Sequence, residues 1–435
     1  MLLNEQTAVQ LGDKKVLGVR QGDKFILGRH NLVPNGQGRY TSGTVEVRRN
    51  LVTRPRSKEG SGVMGMTGGP SSGWGGTPAD VSIIADHTAP SGGEFITRLT
   101  HASAGTTFNG GDLGYGAGIP IALNTTYTQS IFVRSSAPLV VRPQAQFLTS
   151  TGEGLGISQG QILQLNPGEW TRLSLTASTS IETAYLWRLD TDSSGIVEYP
   201  AGTTLDFDAA MVEKSSELRP YFDGSHSPDP DLTPSWTGAE NASESVLRGT
   251  SITSIYTISA AAFNVSSSQW PDYGQSIRII PFSEKSSDSF CSPGGDTGTM
   301  RLGLIAGMPT AVGARGYLPT AQIGSIHFSA RRVTLWKKVG TNYISTPGSQ
   351  GPNVPGEFIS ELVTPLPADA TEAFIRLYNG ASVGNGDVYW TDVRVCQADT
   401  EEEALRMVRA PYRDGDFPGW TWDGTPGQSA SRGLS

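Results

Sequence analysis

Two carboxylates, Asp206 and Asp208, stand one residue apart in "TLDFDAAMVE" (204–213). On a strand, side chains two apart share a face, so the pair would suit either of two chemistries. Paired carboxylates serve glycoside hydrolysis, and oxygen ligands of this kind suit a structural calcium ion. Solvation of a strand end is the commoner origin of such a pair. Gly156-Ile157-Ser158-Gln159-Gly160 fits the Gly-x-Ser-x-Gly pattern of a nucleophile elbow. An elbow needs a strand before the serine and a helix after it. Here a Gly-rich loop precedes the serine and "QILQL" (161–165) reads as strand, so the motif reads as loop. "GYGAG" (114–118) lacks the helix and lysine of a phosphate loop. His30, His87, His101, His226 and His327 are scattered without metal-ligand spacing, so a catalytic zinc is not expected. These residues predict no enzyme, and no cofactor apart from the calcium alternative.

What remains is contact chemistry. A pyranose presents an apolar C–H face that fits an aromatic plane. Trp74, Tyr115, Trp170, Tyr185 and Trp187 are the candidates in the first half of the chain, and Trp336, Phe358, Tyr378 and Trp390 those in the second. Alternate strand positions are core, so burial competes with display at each of them. Trp74 sits in the loop "SSGWGGT", where there is little core to fill. Trp74, Tyr115 and Trp187 are therefore taken as the carbohydrate-binding candidates.

The elements that must position these residues are β-strands. The chain has 435 residues, with 54 Gly, 27 Pro and only 17% charged residues, the texture of an all-β protein with many turns. "EWTRLSLTA" (169–177), "TAYLWRLD" (183–190) and "TLDFDAAMVE" read as strands among many others. One helix is convincing, "TEEEALRMV" (400–408), with Thr400 and Glu403 spaced as a capping box. Gly-Asp-Lys recurs at 12–14 and 22–24, which predicts a three-stranded N-terminal meander. A sheet that small needs another surface to pack on. Residues 1–58 hold eleven Lys or Arg against four acids, a charge of +7, which leaves −15 for the rest of a chain whose net charge is −8. That balance argues against nucleic acid as a general partner. No apolar run approaches a membrane span, and "MLLNEQTAVQ" does not read as a signal peptide, which points to synthesis in a cytoplasm. Two cysteines, Cys291 and Cys396, read as buried free thiols, with one bridge as the alternative.

The chain also repeats itself. "GEWTRLSLTASTSIETAYLWRL" from Gly168 matches "GEFISELVTPLPADATEAFIRL" from Gly356, and "TLDFDAAMVE" matches "DVYWTDVRVC" (387–396). Each copy then closes on one kind of segment: "PYFDGSHSPDPDLTPSWTG" (220–238) and the shorter "PYRDGDFPGWTWDG" (411–424). The closing motif is Tyr221, Asp223, Gly224 and Trp236 in one copy and Tyr412, Asp414, Gly415 and Trp422 in the other. Asp-Gly supplies a turn, proline holds an extended chain, and the tryptophan pins that chain to the domain. The predicted organisation is an N-terminal meander and linker (1–45), a first β-sandwich (46–248) and a second (249–435) with one short helix near 400–409.

The repeats resemble carbohydrate-binding-like jelly-roll modules in minor tail proteins of phages that infect actinobacteria. The matching features are Asn50-Leu51-Val52, the Gly-Glu-aromatic strand, "FDAAMVE" (207–213) and the close. The second copy lacks Asn-Leu-Val. The resemblance implies a virion structural protein of the phage tail, synthesised in the host cytoplasm without a signal peptide. It would be anchored to other phage tail proteins by its N-terminal segment. It would be a homo-oligomer, with a trimer favoured, and its sandwiches would contact host cell-surface glycan or neighbouring virion proteins. The alternatives are a secreted carbohydrate-binding adhesin and the non-catalytic part of a polysaccharide hydrolase.

Overall fold

The computed structural model describes residues 10–11, 14–15, 20–21, 24–25, 30–31, 41–58, 64, 79–105, 119–149, 153–179, 184–190, 199–252, 255–258, 260–266, 275–281, 289–293, 304–320, 331–380, 386–410, 420–422 and 431–433. These residues build an all-β protein with one helix. The chain divides into two compact units, 46–249 and a second made of 1–45 with 250–435.

In the first unit one sheet runs in the order 171–179, 125–135, 204–213, 95–101, 79–85. The other runs 154–159, 139–148, 184–190, 119–120, with Leu163–Leu165 also paired to 139–148. Every pairing within these sheets is antiparallel. Alternation decides which side faces in: Leu173 and Leu175 are buried while Arg172 and Ser174 lie on the other face. Leu99, Ile131, Val133, Val141, Leu205 and Phe207 meet in the core between the sheets.

The central strand Thr204–Glu213 breaks this alternation once. Leu205 and Phe207 face the core, and so do Ala210 and Val212, so the inward set shifts by one residue. Ala209 takes up the extra residue with φ of 53°, opposite the point where pairing slips between Ser130 and Phe132. This is a β-bulge, which bends the strand.

The second unit has the same plan. One sheet carries 356–365, 309–318, 388–397, 275–281 and 260–266 in that order, and the other 342–347, 333–339, 370–380, 289–293 and 255–258. The first of these sheets corresponds strand for strand to that of the first unit, with Gly356–Pro365 in the place of Thr171–Thr179, while in the other sheet 255–258 has no counterpart. The bulge recurs too. Val388 and Trp390, then Val393 and Val395, face the core, and Asp392 carries φ of 57° where pairing slips between Gly313 and Arg315.

The helix is Glu401–Arg409. Thr400 Oγ1 accepts a hydrogen bond from the Glu403 amide at 3.2 Å, the N-cap the sequence predicts. Ala404 and Val408 pack on Ala311, Cys396 and Ala398. Gly313 permits that approach, since a Cβ there would lie 2.3 Å from Val408 Cγ1. Cys291 and Cys396 are both buried and free, and burial pushes the Cys396 thiol up to about 12.

On either side of the two Gly-Asp pairs, Gln10–Leu11 pairs antiparallel with Lys14–Lys15, and Arg20–Gln21 with Lys24–Phe25. Among the described residues these are two separate two-stranded pairs, and the rest of the predicted meander lies outside the described residues. His30–Asn31 instead pairs with Ser431–Gly433 near the chain's end. Among the described residues, no helix is long and apolar enough to cross a membrane.

Trp390 is the largest fully buried side chain among the described residues and meets Phe358 edge-on at 5.3 Å between ring centroids. Trp390→Ala should therefore lower the unfolding free energy of its sandwich by about 3–5 kcal/mol. Urea denaturation followed by fluorescence checks this, and a loss under about 1 kcal/mol would contradict the packing.

Candidate functional site

The closing motif of the first sandwich is a structural knot. Asp223 is fully buried and its Oδ1 accepts from the Ser225 and His226 amides at 2.7 and 2.9 Å. Its Oδ2 accepts from the Tyr221 hydroxyl at 2.9 Å, and Arg56 Nε lies 3.5 Å away. The Tyr221 hydroxyl is raised well above its ordinary pKa, by burial first and by Asp223 second. Gly224 lies under the Trp236 ring, where a Cβ would come within 2.3 Å. The indole Nε1 donates to Ser225 Oγ at 3.2 Å. Trp236 is half-buried, with one ring face held down. In the second copy Tyr412, Asp414 and Gly415 lie outside the described residues. Trp422 pairs with Ser431 in an antiparallel ladder as Trp236 pairs with Ser245.

Asn50 does more than its place in the Asn-Leu-Val motif suggests. Its Oδ1 accepts from the Val52 and Val212 amides, both at 3.1 Å. Its Nδ2 donates to the carbonyls of Ala210 and Phe222 at 3.1 and 3.4 Å. Beside it, Arg48 forks onto Glu213 at 2.8 and 2.7 Å and lies over the Phe222 ring at 4.6 Å.

The acid pair is consumed by the fold. Asp206 accepts from Arg98 at 2.6 and 2.8 Å and from Arg134 at 2.7 Å. Asp208 Oδ2 accepts the Ser91 amide at 2.7 Å, and burial pushes its pKa up to about 6. Two arginines on one carboxylate and a buried amide on the other leave neither chemistry proposed for the pair a place. Among the described residues, no group of three His, Cys, Asp or Glu could hold a metal ion. Ser158 lies within the strand Gly154–Gln159 rather than in a loop, and no strand-to-helix turn presents it.

The aromatic candidates part company. Trp74 and Tyr115 lie outside the described residues. Trp187 is in the strand Ala184–Asp190 opposite Ala145, which is fully buried in the core. Trp170 lies beneath the Arg134 guanidinium, 4.6 Å from it. Phe358 and Trp390 belong to the core of the second sandwich.

Trp336 and Tyr378 meet on the opposite side of that sandwich's second sheet. Along Ala370–Gly380, Ala373, Ile375 and Leu377 face the core, so Glu372, Phe374, Arg376 and Tyr378 share the outer face. Trp336 lies opposite Phe374 in register, and their rings are 6.3 Å apart and 2° from parallel. Tyr343 meets Phe374 edge-on at 6.0 Å, and Phe290 lies 5.2 Å from Tyr378. Trp336 Nε1 donates to the Tyr378 hydroxyl at 3.2 Å. The Arg376 guanidinium lies over Phe290 at 4.1 Å and over Trp336 at 4.7 Å. At the rim, Glu372 accepts from Lys338 at 2.7 Å and from the Tyr343 hydroxyl at 2.8 Å. Trp336 is half-buried and Tyr343 is exposed. This is an aromatic cluster on the outer side of the sheet in which Phe290, Phe374 and Tyr378 are buried, while Trp336 and Tyr343 keep ring surface at solvent beside Lys338 and Glu372. The solvent-facing parts of Trp336 and Tyr343 can stack on a sugar ring and hydrogen-bond its hydroxyls.

No protein-family model matches the chain, and no curated protein is similar to it in sequence. Among solved structures, it is similar to the N-terminal CBM22-1-CBM22-2 tandem domain of Paenibacillus barcinonensis Xyn10C, with 13% identity over 82% of this chain and 100% of that one and a TM-score of 0.27. It is also similar to the C-terminal family 22 carbohydrate binding module of Clostridium thermocellum Xyn10B, with 12% identity, 38% and 100% coverage and a TM-score of 0.25. A third is the enzymatically active domain of Bacteriophage CBA120 tailspike protein 4, with 10% identity, 42% and 21% coverage and a TM-score of 0.24. At these levels the functional reading has to rest on this chain's own residues.

Two expectations follow from the first sandwich. Trp236→Ala should cost about 1–3 kcal/mol in a denaturant melt, since only one ring face is covered; an unchanged melt would argue against a structural role. Asp208 has a folded-state pKa above its ordinary value of 3.8, so the folded state binds its proton more tightly. The destabilisation is full above about pH 6 and is relieved as pH falls towards 4. Asp208→Asn should flatten that part of the stability profile, and a profile identical to wild type would contradict it.

Proposed function

We propose that this chain is a non-enzymatic structural component of a phage tail, and that its second β-sandwich contacts host-surface glycans through Trp336 and Tyr343. The observation that carries the glycan contact is that face itself. Trp336 and Tyr343 lie on the side of the sheet away from Ala373, Ile375 and Leu377 and keep part of their rings at solvent over the buried Phe374. The rim residues Lys338 and Glu372 add donors and acceptors beside the rings. The tail assignment is supported by the sequence resemblance. Its pieces converge physically: Asn50, the 207–213 strand and Phe222 meet at one side-chain amide. Other tail proteins and further copies of this chain are the partners this reading includes.

A glycan array probed with the full chain, followed by calorimetry on the best binder, tests the contact. Trp336→Ala should weaken binding at least tenfold, about 1.4 kcal/mol, at a temperature where the variant is still folded, since truncating a half-buried ring also lowers stability. Retained affinity in that variant would overturn the assignment to this face. Antibody raised against the chain should label the tail of the encoding phage, and unlabelled particles would overturn the tail role.

A further inference from the structure

Asp208 is fully buried, and its Oδ1 has no hydrogen-bond partner among the described residues. Its Oδ2 accepts the Ser91 amide at 2.7 Å. Ser91 belongs to the turn 86–93, which joins the strands 79–85 and 95–101. That turn is exposed at His87, Thr88 and Gly92, while Ala89 and Ser91 are buried. Four of its amides bond within the turn: Thr88 and Ala89 donate to Asp86, Gly92 to Ala89 and Gly93 to Ser91 Oγ. The Ser91 amide instead reaches across to the bulged strand Thr204–Glu213.

Charged groups approach this carboxylate from each neighbouring element. Arg56 attracts its charge and also lies 3.5 Å from Asp223 and 3.8 Å from the exposed Glu240. From the closing segment come Asp223 and Tyr221, which bond each other, with His226 stacked on Tyr221 at 6.5 Å. On its own strand Asp206 is held by Arg98 and Arg134. On the turn, burial would raise the Asp86 carboxyl, but bonds from Thr88 and Arg134 hold it down to about 2, so it stays charged while Asp208 titrates. The fold does not demand a carboxyl at 208. In the second sandwich the residue before the bulge is Thr391, opposite Arg315 as Asp208 is opposite Phe132, and its hydroxyl donates to the Gln275 carbonyl.

We propose that the turn 86–93 is a pH-sensitive lid over Asp208, closed while that carboxyl carries its proton and released when the proton leaves. A carboxyl shut away from water favours its neutral form, and water reaching it restores the charged one. Lifting the turn admits water, so the open state holds the proton less tightly than the closed state. Proton loss must then favour opening. The Ser91 amide, which the charged oxygen attracts more strongly, works against release, and burial outweighs it. Opening is therefore least in acid, rises between the carboxyl's ordinary 3.8 and the value of about 6 it has under the lid, and levels off above that.

Hydrogen–deuterium exchange on the full chain at about pH 4.5 and about pH 7.5, corrected for the intrinsic pH dependence of amide exchange, tests this. Protection in 86–93 should fall at least tenfold from the lower pH to the higher, while the strand Thr125–Ser135 keeps its protection. Asp208→Asn, uncharged at both pH values, should leave the turn equally protected at both. If that variant does not fold, Asp208→Thr, the residue type the second sandwich carries at this place, replaces it with the same expectation. His226→Gln should behave as wild type, because that side chain is exposed and does not contact the turn's anchor at Ser91. Equal protection of 86–93 at both pH values in wild type, a fall that 125–135 shares in full, a fall that persists in the uncharged variant, or one abolished by His226→Gln would each overturn the proposal.

Discussion

One buried amide group holds the first sandwich shut. The bulge at Ala209 turns the central strand away from its neighbour, whose pairing ends at Phe207–Thr97. Backbone groups beyond that point need other partners, because a buried group left unpaired costs about 1–3 kcal/mol. The segment 50–55 provides them: the Leu51 amide donates to the Val212 carbonyl, and the Ala210 amide to the Pro55 carbonyl. Asn50 then ties that segment to both the strand and the closing chain at Phe222. Opening strand, bulged strand and closing segment are thus one hydrogen-bonded unit, and the Asp223 knot and the Trp236 lid sit on top of it. The second sandwich keeps the bulge but covers its far side with the helix through Ala404 and Val408.

Much of this plan is legible in the sequence, and the reasons are local. Leu173 and Leu175 declare a strand by alternation, Thr400 and Glu403 declare a helix start, and the two closing segments declare a duplication. The bulge is not legible, because Ala209 and Asp392 are not the glycines that usually mark a left-handed backbone. Missing it hides the face of everything downstream in the strand.

The aromatic face was half visible. Trp336 and Tyr378 stand out as large aromatics, but Phe374, Arg376 and Tyr343 do not, since both sides of Ala370–Gly380 are rich in large side chains. Only the pairing with Val333–Val339 shows which side is the core. The carboxylate pair misleads in the opposite sense: Asp206 and Asp208 share a face, yet Arg98, Arg134 and Ser91 come from distant positions to neutralise and hold them. Spacing along a strand reveals a shared face, and says nothing of what the neighbouring strands bring to it.

The central claim is a division of labour: the first sandwich's closing unit is architectural and the second sandwich's outer aromatic face meets the ligand. Hydrogen–deuterium exchange on the full chain, with and without the best-binding array glycan, tests it most directly. The account predicts added protection in 333–347 and 370–380, with none in 204–236. Protection confined to the closing segment at 220–236 would contradict it.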